Sequence, residues 1–291
     1  MTKVMIVGSG VVGGATGRGF AKHNADVTFV DVSANKLELL REEGFAAITP
    51  DQIDVSDVDL VFVAVPTPTN ESGFVTDYLY DASRSIGRAL SRAPLSSHPI
   101  IVYRSTMLPG TTQRLMIPLL EEESGKKAGV DFGVCYNPEY LREVSANEDF
   151  ASLNIVTIGC NLTDSQDAKK VAAAYAPFNA VVHHLGIKEA EWHKYVHNLF
   201  NAIKISAFNE FRMMGEHLDI SKEDVEKIFA ITRTTAEGLY NSLYGTRDLG
   251  PYDGACLPKE VNATVHYAEE VGLSLPLLKA TQEVNRRLGG Q

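Results

Sequence analysis

The sequence predicts an α/β fold in which a doubly wound parallel sheet is followed by an all-helical domain built on one long helix. Up to about residue 185, short apolar runs rich in β-branched residues alternate with amphipathic helical stretches. That alternation is typical of a parallel sheet covered by helices on both faces. After residue 186 the apolar runs stop, and helical periodicity continues along the rest of the chain.

Six strands are predicted, each a short run with few polar residues. They comprise residues 4–8, 26–31, 59–66, 99–106, 131–137 and 154–159. The helical part opens with residues 188–219, a stretch without proline that would form a helix about 45 Å long. We therefore place the first domain at residues 1–187 and the second at 188–291, and we expect the long helix to join two copies in a homodimer.

Composition narrows the possible functions. The 291 residues suit two domains, and a formal charge of −10 with a pI near 5.3 argues against nucleic acid as a partner. The apolar runs are too short to cross a bilayer, so no membrane association is expected. A strand starts almost at once, without a basic leader or an apolar signal core, which predicts a cytoplasmic protein.

The cysteines and histidines do not predict a metal site. Cys135, Cys160 and Cys256 are an odd number without C-x-x-C spacing, which argues against a disulfide framework and leaves at least one thiol free. The two of them in or beside strands are expected to be buried and inert. His193 and His197 share a helix face but lack the glutamate of a zinc-binding H-E-x-x-H motif.

A glycine motif predicts nucleotide binding in the first domain. Gly8, Gly10 and Gly13 have G-x-G-x-x-G spacing between a strand and a helix, where glycines allow backbone amides to approach a pyrophosphate. Asp31 ends the next strand, about twenty residues on, and an acid there binds a ribose 2′-hydroxyl and repels a 2′-phosphate. A plain glycine turn is the alternative. The context favours a Rossmann-like domain that binds NAD rather than NADP.

Five further stretches stand in a fixed order along the chain. They are "VPTPTN" (65–70), "RSTMLPGTT" (104–112), "NPEYLRE" (137–143), "EAEWHKYVHN" (189–198) and "GACLPKE" (254–260). In this order and spacing the sequence resembles the UDP-glucose/GDP-mannose dehydrogenase family, from residue 3 to about residue 288. The resemblance implies an enzyme that uses NAD twice to oxidise a sugar C6 alcohol to a carboxylate through a cysteine-bound intermediate.

The chemistry of that reaction explains a cysteine in "GACLPKE". An aldehyde has no good second hydride to give until a nucleophile makes its carbon tetrahedral. The Cys256 thiolate can supply that nucleophile, and the resulting thiohemiacetal can be oxidised to a thioester that water hydrolyses. A buried, inert cysteine is the alternative for this residue.

The resemblance also implies roles for particular side chains. The catalytic set is Cys256, Lys194, Asn198, Glu139, Thr106, Glu143 and Glu260. The cofactor set is Gly8, Gly10, Val11, Val12, Gly13, Asp31, Lys36, Val65, Pro66, Thr67, Ser105, Thr106 and Glu143. The substrate set is Tyr140, Leu141, Arg142, Lys194, Asn198, Tyr252 and Gly254.

Within the catalytic set, Lys194 and Asn198 are spaced i,i+4 on one helix face and would hold a water and a developing oxyanion, while Glu139 or Glu143 would act as general base. A solvated lysine and solvated loop charges are the alternatives. Glu260, the partner of Lys194 that the resemblance implies, stands where the family usually has aspartate, which is one methylene shorter. Asp253 likewise replaces a glycine of the family's cysteine turn.

The substrate is the least determined part of the prediction. The chain ends where the resembled enzymes begin the linker to a third domain, so a nucleoside, a nucleotide or a modified sugar is expected, with a UDP-sugar as the alternative. Two other functions stay open. One is a two-electron β-hydroxyacid dehydrogenase, from which Cys256 distinguishes this chain, and the other is a non-catalytic NAD-binding partner of a full-length enzyme.

Overall fold

The computed structural model describes residues 1–70, 73–94, 98–242, 244–245, 250–253 and 257–289. The chain forms two compact units, Met1–Val196 and His197–Gln291. No helix among the described residues is both long and apolar enough to cross a membrane.

The first unit is built on one eight-stranded sheet. Its strands are β1 (Lys3–Val7), β2 (Asp26–Val30), β3 (Ala46–Ile48), β4 (Leu60–Val63), β7 (Ile100–Tyr103), β8 (Gly133–Tyr136), β9 (Ile155–Cys160) and β10 (Val181–Leu185), with a hairpin of β5 (Thr69–Asn70) and β6 (Gly73–Phe74) outside it. The order across the sheet is β10-β9-β8-β7-β4-β1-β2-β3. The six predicted strands are therefore present.

Helices cover the sheet on both faces. They are α1 (Val11–Lys22), α2 (Ala34–Glu42), α3 (Asp77–Arg92), α4 (Ile117–Ser124), α5 (Ala146–Ala151), α6 (Gln166–Tyr175) and the start of α7 (Ile187–His217), with a π-helical turn at Thr112–Met116 before α4. Alternate residues of β1 enter opposite cores: Met5 packs with α3 and α4 on one face, and Ile6 packs with α1 and α6 on the other. The predicted doubly wound α/β architecture is confirmed.

The prediction that every strand is parallel is wrong at one place. β9 runs antiparallel to β8, whereas the other neighbouring pairs of the eight-stranded sheet are parallel. The segment between them contains a 3₁₀ turn (Glu143–Ser145) and the six-residue helix α5, which rises about 9 Å and is shorter than the helix of a usual βαβ crossover. β9 therefore starts at the edge where β8 ends.

This antiparallel pair also changes the assignment of two cysteines. Cys135 and Cys160 are register partners on β8 and β9, with Cα atoms 4.8 Å apart, and they form a disulfide. The expectation of no disulfide is wrong for this pair. The pairing could not be predicted from their separation of 25 residues, because only the antiparallel register places the two side chains opposite each other. Cys256 lies outside the described residues.

The second unit is helical in its described part, as predicted. It contains the rest of α7, then α8 (Lys222–Thr235), α9 (Glu237–Tyr240), α10 (Leu257–Glu270) and α11 (Pro276–Arg287). The rings of Phe208 and Phe229 pack edge to face, 4.9 Å between centroids. The carboxylate of Glu210, on α7, accepts hydrogen bonds from the first amides of α11, including Leu277 N at 2.6 Å. Because these amides have no partner within their own helix, Glu210 fixes α7 against α11.

Candidate functional site

A pocket of about 680 Å³ lies in the first unit, at the carboxyl ends of β1, β2, β4 and β7. In an open α/β sheet this edge is the usual place for a ligand, where the strand order reverses. Most cofactor residues predicted from sequence line it: Gly8, Gly10, Val11, Val12, Asp31, Lys36, Val65, Pro66, Thr67, Ser105 and Thr106. Glu139, from the catalytic set, lies on the same wall. The pocket thus brings residues from five separated stretches of sequence together.

The glycine turn leaves space where a pyrophosphate would bind. Gly8 has a positive φ of 93°, and a Cβ there would lie 2.7 Å from the Ala64 carbonyl oxygen. Gly13 packs so closely on Gly8 that a side chain would collide with its carbonyl. A Cβ on Gly10, in contrast, would meet nothing within 4 Å, and α1 begins at the next residue. This opening in front of a helix N-terminus fits the diphosphate of a dinucleotide.

Asp31 is held ready to accept further hydrogen bonds. Its Oδ2 accepts from the amide and hydroxyl of Ser9 at 2.8 and 2.6 Å, and its Oδ1 accepts from Ser33 N at 2.9 Å. Burial alone would raise the pKa of the Asp31 carboxyl, but these hydrogen bonds and the ammonium of Lys36, 3.7 Å away, lower it overall. A carboxylate offers about four acceptor positions, so Oδ1 keeps capacity for a ribose hydroxyl.

The opposite end of the pocket is formed by the residues that follow β4 and β7. Ser105 is buried, and its hydroxyl donates to the Val65 carbonyl at 2.7 Å, which ties the two strand ends together. Thr106 is half-buried and lines the pocket beside Glu139. With the adenosine ribose at Asp31, this end is where the nicotinamide of a bound NAD would lie.

A buried ion pair stands at that end. The Lys194 ammonium is 2.8 Å from Glu139 Oε1 and also donates to the Glu139 carbonyl, while Glu139 Oε2 accepts from Leu141 N at 2.7 Å. The two side chains are only 5% and 13% exposed. Lys194 further lies 5.6 Å from the centre of the Tyr140 ring. Glu139 lines the pocket and Lys194 is bound to it, so a hydrogen-bond donor and a base are side by side.

The predicted substrate residues of the 137–143 loop have different environments. The Tyr140 hydroxyl donates to Thr157 Oγ1 at 3.0 Å and lies 2.8 Å from His193 Nδ1. Burial raises the pKa of Tyr140, although the hydrogen bond to Thr157 opposes the change. Leu141 packs against the core, whereas the Arg142 side chain is 74% exposed and forms a two-pronged ion pair with Asp149. Glu143 starts a short 3₁₀ turn.

The remaining predicted residues belong to the second unit. Asn198 is exposed, and its side-chain oxygen lies 3.0 Å from His197 Nδ1. The Glu260 side chain is 67% exposed and lies 3.9 Å from Lys259 Nζ, while Tyr252 is half-buried. Cys256 and Gly254 lie outside the described residues.

Two buried charges within the quoted stretches were not singled out by sequence reasoning. Arg104 lines the pocket and donates to the side chains of Asn137 and Tyr175, with its guanidinium over the Phe150 ring. Glu191 is fully buried and accepts three hydrogen bonds at the start of the π-helical turn. The signal for Glu191 was its position three residues before Lys194 on the same helix face.

No group of three His, Cys, Asp or Glu side chains within the described ranges is arranged to hold a metal ion.

The chain is similar in sequence to known protein families. The family model "UDP-glucose/GDP-mannose dehydrogenase family, NAD binding domain" matches residues 41–179, and that of the same family's central domain matches residues 188–287. The model "Ketopantoate reductase PanE/ApbA" matches residues 4–74.

Among curated relatives, GDP-mannose 6-dehydrogenase of Azotobacter vinelandii is 31% identical over 304 residues, covering 97% of this chain and 68% of the relative. UDP-glucose 6-dehydrogenase AglM of Haloferax volcanii is 29% identical, covering 97% and 69%. Among solved structures, a ternary complex of GDP-mannose dehydrogenase from Pseudomonas aeruginosa superimposes with a TM-score of 0.89 at 29% identity, over 99% of this chain and 69% of that one.

Proposed function

Since the chain belongs to the UDP-glucose/GDP-mannose dehydrogenase family and is an NAD-dependent dehydrogenase, we propose that it oxidises a primary alcohol to a carboxylate in two steps. The observation that carries the proposal is the buried pair of Lys194 and Glu139 at the nicotinamide end of the cofactor pocket. When bound, NAD accepts the hydride in each of the two oxidations.

The protein residues that would hold the cofactor form two groups. The amides around Gly10 and the start of α1 receive the diphosphate, and Asp31 with Lys36 receives the adenosine ribose. At the other end, Ser105 and Thr106 close the pocket around the nicotinamide. The negative charge of Asp31 disfavours the 2′-phosphate of NADP.

In the reaction, we assign Lys194 and Glu139 to charge stabilisation and proton transfer. A buried ammonium stabilises an alkoxide or an oxyanion more strongly than an exposed one, because water does not screen it. Glu139 accepts a proton from the substrate alcohol or from the attacking water, since carboxylates serve as general bases where they are within hydrogen-bond reach. Thr106 and Asn198 are assigned to ordering the substrate oxygen and that water, and Glu143 and Glu260 keep the auxiliary roles that the family resemblance implies.

Cys256 supplies the covalent step between the two oxidations. Its thiolate attacks the aldehyde carbon, a C–S bond forms, and the carbonyl electron pair moves to oxygen, which takes a proton. Loss of the second hydride and of that proton leaves a thioester. Water then attacks the thioester carbonyl, the C–S bond breaks, and the thiolate departs as the carboxylate forms; the two protons of that water are released. This assignment is supported by the sequence motif around Cys256 and by the family.

The substrate is proposed at the level of its class. Relatives at 31% and 29% identity are named for GDP-mannose and UDP-glucose, so a nucleotide sugar is the first class to test, followed by nucleotides and modified sugars. Tyr140, Leu141, Arg142, Tyr252 and Gly254 are assigned to substrate contacts.

We also assign the protein to a homodimer through α7, with an NAD-binding domain at residues 1–187 and a helical dimerisation domain at 188–291. The helix exposes large apolar side chains that a monomer would leave in water: Trp192, Val196, Leu199, Phe200, Ile203 and Ile205, between 44% and 64% exposed. Exposed apolar side chains in this number on one helix are typical of an oligomer interface.

The test is the stoichiometry of reduced cofactor. Purified protein is incubated with NAD and a panel that includes GDP-mannose, UDP-glucose, free nucleotides and sugar alcohols, and NADH is counted per substrate consumed. Two NADH per substrate are expected, whereas one would favour the two-electron β-hydroxyacid dehydrogenase. Cys256→Ser should lose the second oxidation or all turnover, because a serine alkoxide is harder to form than a thiolate. A serine variant that makes the acid normally would exclude cysteine catalysis.

A further inference from the structure

We propose that Glu191 is a positioning residue that holds the loop after β7 against α7 and so shapes the nicotinamide end of the cofactor pocket. Its effect on turnover rests on the proposed function, whereas its effect on cofactor binding does not. Glu191 is a buried carboxylate that has no part in the proposed reaction.

The contacts of Glu191 are specific. Its Oε1 accepts from the Thr112 amide at 2.9 Å and from the Thr112 hydroxyl at 2.7 Å, and its Oε2 accepts from the Gly110 amide. These amides open the π-helical turn Thr112–Met116 that leads into α4. Amides at a helix start have no partner within the helix, and they favour a negative charge, so the carboxylate acts as their cap from a distant part of the chain.

The contacts of Glu191 compensate for the free-energy cost of removing its carboxyl group from water. The side chain is fully buried, and no lysine or arginine contacts it among the hydrogen bonds and ion pairs of the described residues. The pKa of the neighbouring Tyr136 hydroxyl is raised, first by burial and then by the negative charge of Glu191. The burial of a carboxyl group is compensated where several donors replace the lost water, and here two amides and a hydroxyl do so.

The capped segment connects directly to the pocket. Ser105 and Thr106 line the pocket, and only three residues separate Thr106 from Gly110. The intervening turn is closed by a hydrogen bond from Thr111 N to the Leu108 carbonyl at 3.0 Å, and the Met107 side chain is fully buried. A shift of the cap would therefore move Thr106.

The same turn of α7 also carries Lys194. Residues three apart lie on one face of a helix, so Glu191 fixes this face to residues 110–112 while Lys194 fixes it to Glu139. Two walls of the pocket end, the 104–106 segment and Glu139, are thus tied to one helical turn. Glu191 sets the distance between these two walls.

The experiment compares Glu191→Gln with Glu210→Gln. Glutamine keeps one acceptor, but its amide group faces an N–H donor, so at least one cap bond is lost. Glu210 is the matched control, because it is also a buried carboxylate of α7 that caps a helix start, in the second unit. Dissociation constants of NAD and of ADP-ribose, which lacks the nicotinamide, are measured by calorimetry together with kcat and KM.

In Glu191→Gln the dissociation constant of NAD should rise about tenfold, which corresponds to the free energy of about one hydrogen bond. The dissociation constant of ADP-ribose should change less than about twofold. Glu210→Gln should alter neither ligand, although it lowers Tm by a comparable amount. An equal loss of NAD and ADP-ribose affinity in Glu191→Gln, or no loss of either, overturns the proposal.

Thr112→Val covers the case in which Glu191→Gln does not fold. It removes only the hydroxyl donor and should raise the NAD constant about threefold without changing that of ADP-ribose. An unchanged NAD constant in that variant overturns the proposal. Absence of any alcohol oxidation by the wild-type protein refutes the proposed function instead, and leaves the binding comparison valid.

Discussion

Replacing Lys194 by methionine tests the buried ion pair at the centre of the candidate site. Methionine keeps most of the length of the aliphatic stem but removes the ammonium, so Glu139 loses its cation and keeps the hydrogen bond from Leu141 N. Removing one partner of a fully buried pair costs about 3–5 kcal/mol. Since the Glu139 side chain is 13% exposed and can gain some water, we expect a loss nearer 2–3 kcal/mol, or roughly 5–10 °C in Tm.

The effect on turnover should be larger than the effect on stability. Loss of one preformed donor to a developing oxyanion lowers kcat by about 10²–10³. The control is Lys188→Met, the same substitution at an exposed position of the same helix, which should leave kcat and Tm nearly unchanged. Thermal unfolding and steady-state kinetics with the substrate found in the panel provide both measurements.

A second substitution tests whether the instability of Lys194→Met comes from the unpaired charge of Glu139. In the Lys194→Met background, Glu139→Gln removes the stranded charge and should restore about half of the lost stability without restoring kcat. If Lys194→Met behaves like Lys188→Met, or if Glu139→Gln lowers the stability of the single variant further, the buried pair does not act as described.

Three further predictions concern the cofactor preference, its pH dependence and the assembly. Asp31→Ser should reduce the ratio of kcat/KM with NAD to kcat/KM with NADP at least about tenfold. Asp26→Ser, at the exposed start of the same strand, should leave that ratio unchanged. Equal ratios in the two variants would contradict the role of Asp31. Hydrogen bonds outweigh burial and lower the pKa of Asp31 below its ordinary 3.8. The preference for NAD should therefore be constant from about pH 5 to 8. The stability that the Asp31 carboxylate contributes should be lost only as the pH falls below that ordinary value. Ile203→Glu places a charge at an exposed apolar position of α7 and should yield monomers in sedimentation velocity. Lys204→Glu, at the neighbouring exposed position, should remain dimeric. A wild-type protein that stays monomeric at high concentration would refute the dimer.

The sequence by itself determined the architecture and the cofactor end of the site. Strand and helix periodicities are local, and so is the spacing of Gly8, Gly10 and Gly13, which the structure places at the carboxyl edge of the sheet. Asp31 could be predicted in the same way, because the order of parallel strands brings the end of β2 beside the end of β1. The hairpin, β3 and β10 were not predicted, since these strands are very short or, in β10, interrupted by two histidines.

Only the tertiary structure decided which side chains face each other across long separations. Glu139 meets Lys194 over 55 residues, and Gly110 meets Glu191 over 81. The disulfide of Cys135 and Cys160 likewise depends on the antiparallel direction of β9. Such pairs are set by strand order and helix placement, so no local pattern of residues predicts them. For the buried carboxylates the partner is required because an unpaired charge in the core would be costly. For the disulfide the register is required because a shifted strand would separate the two sulfur atoms.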